Sequence, residues 1–400
     1  MLAFRLQAHA LAQRLPADAL LEAAGACGIQ NTPPGSAALA LHARVRDLTP
    51  ADFDRALAGE KTLLQVWSLR ASPYAVPTRD AAVFTTGVLP EDEPSLRFFI
   101  RGAGPYLDLF GLSAADVVAR TAEALLEVLD GRELTKNELG VLLAQHLSKD
   151  IPPEQLELWN APDGMTHYGE SLVRFALSIV ALQGLFCFAP WKRSAATFLL
   201  IDQWLGAPLP ASDPCRARAE LVRRYLSCYG PSTPEDFAEW AGIAPDQAHR
   251  TWQLVEPELA CVTVGGRQAW LNGRDLLRLQ APLEPRGVRF LPPHDPYLLD
   301  RDRETLLPDK ALHPFLWRSA GSPGALLVDG RLVAAWRPQK KGTRLRITIY
   351  PLGCTSNEIQ ADLEVEAALL APFRGCTSVE VVASEIDRKS TRLNSSHRIR

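Results

Sequence analysis

The sequence predicts an α+β fold in which sets of three helices, each closed by a pair of short strands, recur along the chain and then give way to a β-rich C-terminal part. Three observations carry this. Apolar residues recur at helical spacing over most of the first 280 positions, and Gly- or Pro-centred turns separate them from short alternating runs. From Arg286 onward the helical spacing stops, and "GVRFLPP", "GALLVDG", "RLVAAWRP" and "TRLRITIYPL" follow one another as strands bounded by Gly and Pro. The chain of 400 residues is 47% hydrophobic, enough to bury more than one core.

The clearest set runs from Asp213 to Asn272. Leu221, Val222, Tyr225 and Leu226 place an apolar face on a first helix, which Gly230-Pro231 ends. Thr233 caps a second helix that starts at Pro234, and "TPEDFAEWAG" stops at Gly242. A third helix restarts at Pro245 with Ala248, Trp252 and Val255 facing inward. "ACVTVGGRQAWLN" is then a hairpin around Gly265-Gly266. Three helices followed by a two-stranded hairpin make a winged helix, whose second and third helices form a helix-turn-helix fit for a major groove. Gln247, His249, Arg250 and Gln253 would decorate that recognition helix, and Gln247 and Arg250 are candidates for contact with DNA.

Two further copies are expected upstream. Helices near 1–15, 17–28 and 33–45 precede "TLLQVWSLRASPYAVP"; helices over 114–130, 135–147 and 169–184 precede "LFCFAP" and "ATFLLI". The expected divisions are 1–105, 106–210 and 211–280 for three tandem winged-helix units, and 281–385 for a β-rich, barrel-like or open-sheet part. That last part includes a hairpin turn at Asp329-Gly330, a helix over 357–373 and a strand over 379–383. The run Leu172–Pro190 is interrupted by Arg174, Ser178, Gln183 and Gly184, so it reads as a buried helix and no membrane association is expected. Trp67, Trp240, Trp252 and Trp336 are expected in cores.

Seven cysteines without a Cys-x-x-Cys pair argue against a zinc site and a disulfide framework, so no metal and no cofactor are expected. The N-terminus lacks a secretory signal pattern, and the expected compartment is the cytoplasm. Residues 387–397, "DRKSTRLNSSH", match a translated sequencing adapter, so 386–400 is set aside as a cloning or assembly scar. Removing the net +4 of 387–400 takes the formal charge from −3 to −7. Bulk charge therefore does not argue for nucleic acid, and any such site must be a local basic face. "WRPQKKGTRLR" offers one, with Arg337, Lys340, Lys341, Arg344 and Arg346 around a single turn.

Five landmarks in order, "GIQNTPPGSAALALHARV", "WSLRASPYAVPTRD", "YGPSTPEDFAEWAG", "FLPPHDPYLLDRDR" and "PGALLVDGRLVAAWR", resemble the bacterial winged-helix family that contains the AlkZ/YcaQ-type crosslink-repair DNA glycosylases. The resemblance implies three winged helices in a C shape around a β-barrel, with duplex DNA on the concave face. It implies hydrolysis of the N-glycosidic bond of alkylated bases, N7-modified guanine and crosslinked bases included, at a Gln-x-Gln or Gln-x-Asp pair near the N-terminus. The matching positions here are Gln30-Asn31-Thr32, so the first member is kept and the second is threonine. The resemblance also places Arg70 and Tyr74, on the first wing, at the DNA face, with Tyr74 standing where family enzymes often carry histidine. A second reading of Thr32 stays open: its position before Pro33 makes it a helix N-cap, its hydroxyl reaching the Gly35 N–H. "HDP" at 294–296 reads as a structural corner.

Overall fold

In a computed structural model, residues 1–190, 195–299, 302–318, 320–353 and 360–386 are described, and they form a mixed α+β structure. Contacts gather the chain into two compact units: Met1–Asp54 with Ser227–Tyr229 and Arg274–Arg400, and Arg55–Leu226 with Gly230–Gly273. Among the described residues no helix is long and apolar enough to cross a membrane.

The larger unit contains the helices and strand pairs that periodicity predicted. Ser113 accepts a hydrogen bond from the Asp116 N–H and starts the Ala114–Val128 helix. Thr135 and Glu138 form a reciprocal capping box at the head of Lys136–Leu147. Tyr168–Leu182 is buried on nearly all sides, as expected of a core helix. Phe186–Phe188 then pairs antiparallel with Thr197–Leu200, and Trp67 packs edge-on against Phe186 and Phe188. Further along, Asp213 caps Pro214–Tyr229 and Thr233 caps Pro234–Ala241, which ends at left-handed Gly242 before Pro245–Gln253. Leu259–Val264 pairs with Arg267–Asn272, Val264 opposite Arg267, so the turn is Gly265-Gly266, both at positive φ. Tyr225, Phe237, Trp240 and Trp252 cluster inside this segment. The Leu63–Trp67 and Pro73–Pro77 hairpin forms at its expected place.

In the smaller unit the first helices are shorter than predicted: Leu2–Ala8, Leu20–Gly25 and Ser36–His42. Positive φ at Ala10 interrupts the first run and at Gly35 delays the start of the third, while the second helix ends at Gly25, before left-handed Gly28. The C-terminal strands form one linear sheet in the order Val288–Leu291, Gly324–Val328, Arg331–Lys341, Arg344–Pro351, Ser378–Ala383. The first three pairings are antiparallel and the last is parallel, with the Gln360–Leu370 helix in the crossover. Asp329-Gly330 is the expected turn, with Val328 opposite Arg331. The described pairings therefore give an open five-stranded sheet and no closed barrel; residues 357–359 of the predicted helix and 387–400 lie outside the described residues. Trp336 lies in the core of the sheet and donates to the Leu291 carbonyl at 2.8 Å.

One buried ion pair joins the N-terminal helices to the sheet. The Arg44 guanidinium donates to both oxygens of Asp295, at 2.8 and 2.7 Å, and to the Ala40 carbonyl at 2.8 Å. The side chains are 2% and 0% exposed, and Asp295 also accepts from the Tyr297 N–H at 3.0 Å. The "HDP" segment is thus a corner held by a charge pair. Asp295→Ala strands a buried cation and is expected to cost about 3–5 kcal/mol. It should be read as a lower urea midpoint at unchanged slope; Arg44→Met/Asp295→Leu is expected to recover a large part of the loss.

Candidate functional site

The stretch Cys27–Ser36 enters the smaller unit's core. Ile29–Gln30 is a short buried strand, and Gln30 is 6% exposed. Asn31, not Thr32, serves the following helix: its side-chain oxygen accepts from the Gly35 N–H at 2.9 Å and the Ala37 N–H at 3.1 Å. The helix starts at Ser36 after left-handed Gly35, so Pro33 and Pro34 precede it and do not form its first turn. The N-cap reading of Thr32 is corrected accordingly. An amide oxygen with two lone pairs reaches two backbone donors at once, where a hydroxyl was expected to reach one. The Thr32 hydroxyl is buried and has no hydrogen-bond partner among the described residues. Gln30 and Thr32 are thereby two polar side chains on either side of a residue that is fully engaged in capping.

Several of the predicted DNA contacts have another role in the folded chain. Tyr74 is 1% exposed, and its hydroxyl accepts from Arg70 at 2.6 Å. The other arm of Arg70 donates to the Trp240 carbonyl in the last turn of Pro234–Ala241, where a cation suits the helix dipole. This contact requires Gly242, since a Cβ there would lie 2.7 Å from Arg70 Cγ. Gln247 is 0% exposed and donates to the carbonyls of Val88 and Leu89 at 3.3 and 3.2 Å. Tyr74 and Gln247 therefore offer no surface to a duplex in this conformation. Spacing and alternation locate a helix and a hairpin at these positions but not which face packs inward. Arg250 is half-exposed and paired with Asp92 at 2.8 Å.

The basic turn is different. Lys340, Lys341 and Arg344 are exposed around the turn that joins Arg331–Lys341 to Arg344–Pro351, with Lys341 opposite Arg344. Glu380 is their nearby carboxylate, 3.7 Å from Arg344 and 3.2 Å from Arg346. Hydrogen bonding from Arg346 holds it below the usual carboxylate range. Arg337 donates to the Gly321 carbonyl at 2.8 Å and lines a cavity of about 500 Å³ with Arg318, Tyr350 and Ser384. Burial, and then repulsion from Arg318, pulls its guanidinium below the ordinary arginine value. Glu385 also lines the cavity, and an anionic oxygen between the two guanidiniums would relieve their like-charge repulsion.

Sequence reasoning missed one constellation. His9, Cys27 and Cys228 come together in the interior of the smaller unit, all buried. Their separation along the chain left no spacing motif to find.

Comparison with known proteins defines the class of this chain. A family model described as "DNA glycosylase AlkZ-like" matches residues 23–373. The chain belongs to the AlkZ-like DNA glycosylase family. It is 24% identical over 392 residues to an "Interstrand DNA cross-link repair glycosylase" of Streptomyces sahachiroi, covering 95% of this chain and 97% of that protein. Its fold is similar to the solved structure of Streptomyces sahachiroi DNA glycosylase AlkZ, with a TM-score of 0.73 at 22% identity over 96% of this chain and 98% of the other.

The geometry of Arg70 makes a prediction about stability. Arg70→Ala removes a charge-assisted bond to a helix-end carbonyl and leaves the Tyr74 hydroxyl without its donor. The expected cost is about 1.5–3 kcal/mol in chemical denaturation. The salt dependence of DNA affinity is expected to stay as in the parent protein, because this guanidinium is already committed inside the fold.

Proposed function

We propose that this protein binds duplex DNA and is a monofunctional glycosylase, hydrolysing the N-glycosidic bond of alkylated bases, N7-substituted or crosslinked guanine among them. The observation that carries this is the Gln30-Asn31-Thr32 stretch within a family-model match spanning 23–373, together with a Thr32 hydroxyl that the helix cap does not use. Buried polar groups are ordinarily hydrogen-bonded, so an unpartnered hydroxyl beside Gln30 suits a water or sugar oxygen brought in by the substrate. We read the winged-helix repeats and a concave DNA-binding face as part of the same proposal. In that arrangement the Lys340–Arg344 turn follows the phosphate backbone.

The chemistry follows from the substrate. Alkylation at N7 makes the base cationic, so the bond to the sugar breaks with its electron pair leaving on a base that becomes neutral. The sugar passes through an oxocarbenium-like state. The Gln30 amide oxygen accepts a hydrogen bond from the attacking water and aims it at the sugar carbon, and the Thr32 hydroxyl steadies the same water. After the carbon–oxygen bond forms, the water's proton is lost to solvent. Neither side chain ionises near neutral pH, so the site orients water without supplying a countercharge. A second reading rests on that same absence of a carboxylate: a non-catalytic DNA-binding protein on this scaffold.

A duplex carrying one N7-methylguanine tests both. The protein is expected to release free base and leave abasic sites, with Gln30→Ala slowing single-turnover release about a hundredfold and Thr32→Val about tenfold while binding is kept. Binding without base release supports the non-catalytic reading, and the loss of both binding and release overturns the proposal. Lys340→Ala, Lys341→Ala and Arg344→Ala are each expected to weaken binding alike across sequences and to lower the salt slope by about one.

A further inference from the structure

The interior of the smaller unit holds a cluster that water-orienting chemistry does not use. His9, Cys27 and Cys228 are each 2% exposed, and their potential ligand atoms all lie within 4.8 Å of one another. Cys27 Sγ stands 3.8 Å from His9 Nδ1, and Cys228 Sγ 3.6 Å from the Ala26 carbonyl. The imidazole is held edge-on against Tyr229 and Tyr297, with ring centres 5.0 and 5.6 Å away. Its Nε2 is buried and has no hydrogen-bond partner among the described residues. The Tyr229 hydroxyl, 3.8 Å from Cys27 Sγ, donates to the Pro296 carbonyl at 2.8 Å.

We propose that His9, Cys27 and Cys228 form a buried Cys2His site for a thiophilic d10 cation, Zn2+ or Cu+. Buried cysteines are ordinarily small apolar residues, and a single one would carry no argument. Two thiols and an imidazole gathered in one place are a different case, because all three are soft or borderline ligands and the contacts that the thiols make, with His9, the Ala26 carbonyl and the Tyr229 hydroxyl, are long at 3.6–3.8 Å. In a tetrahedral zinc site neighbouring ligand atoms stand about 3.5–3.8 Å apart, so the widest pair needs a contraction of at most about 1.3 Å. Entry of the cation displaces the thiol protons to solvent. Two thiolates and a neutral imidazole leave Zn2+ with no net charge, and Arg44 is already neutralised by Asp295. Three protein ligands leave one position for a small fourth ligand on zinc, while Cu+ needs none. Cys27 lies three residues before Gln30, so the metal would anchor the chain just before that strand.

The test needs no activity measurement. The full chain, purified without chelators, is expected to carry about one equivalent of zinc or copper by elemental mass spectrometry, the element itself separating the two. Cys27→Ser and Cys228→Ser are expected to retain less than about a tenth of it, and His9→Ala to lose it to a chelator faster. Should a variant fail to fold, Co2+ added to the metal-stripped parent protein reads the site directly through thiolate-to-cobalt absorption. Metal-free protein that gives no such absorption overturns the proposal. So does a Cys27–Cys228 disulfide found by mass spectrometry after thiol alkylation in denaturant.

Discussion

The smaller unit depends on the ion pair between Arg44 and Asp295. Removing both charges from water costs several kcal/mol each, which is offset by a two-pronged pairing backed by the Ala40 carbonyl and the Tyr297 N–H. Arg44 follows the Ser36–His42 helix, and Asp295 follows the first strand of the C-terminal sheet. The helix that Asn31 caps is therefore fixed against the sheet by a contact 251 residues apart in sequence. One guanidinium thus holds the helix that directly follows the Gln30 stretch.

Charge in the larger unit is arranged to cancel. Arg218 meets Glu91, Arg223 meets Glu258, Arg224 meets Asp80, and Arg250 meets Asp92, at 2.6 to 2.9 Å. A guanidinium already bound to a carboxylate releases little on meeting a phosphate, because that carboxylate must first be left behind. The turn from Lys340 to Arg344 differs, with several cations sharing Glu380. For a chain of formal charge −7 without residues 387–400, a short dense cluster is a better route to DNA than a general basic balance.

Legibility in the sequence followed the range of the interaction. The helix that Thr233 caps before Pro234 stands where spacing and its cap place it, as do the Gly265-Gly266 and Asp329-Gly330 turns. These signals act over a few residues. The choice between Asn31 and Thr32 as the capping side chain also acts locally, but left-handed Gly35 and the later helix start decided it. The family resemblance puts Tyr74 at the DNA face and helical spacing puts Gln247 on the third helix, and neither says which face is covered. The meeting of His9 and Cys27 with Cys228, and the parallel pairing of Ser378–Ala383, depend on tertiary packing that no local pattern encodes.

The capping role of Asn31 also narrows the proposed chemistry. Had Thr32 bonded the Gly35 N–H, its hydroxyl would have been withdrawn from any reacting water. With Asn31 holding both the Gly35 and Ala37 donors, the hydroxyl is released, but it brings no charge. The segment Cys27–Ser36 contains no carboxylate, so in the proposed reaction this segment would offer a developing sugar cation only neutral dipoles. Dipoles that are already oriented still lower the barrier, though less than a fixed anion in the same low-dielectric site. A glycosylase built this way depends on a base that departs readily. A cationic N7-alkylated guanine meets that requirement, whereas an unmodified base leaves as an anion and does not. The same threonine that weakens the site would therefore make it selective for bases whose damage has already activated them.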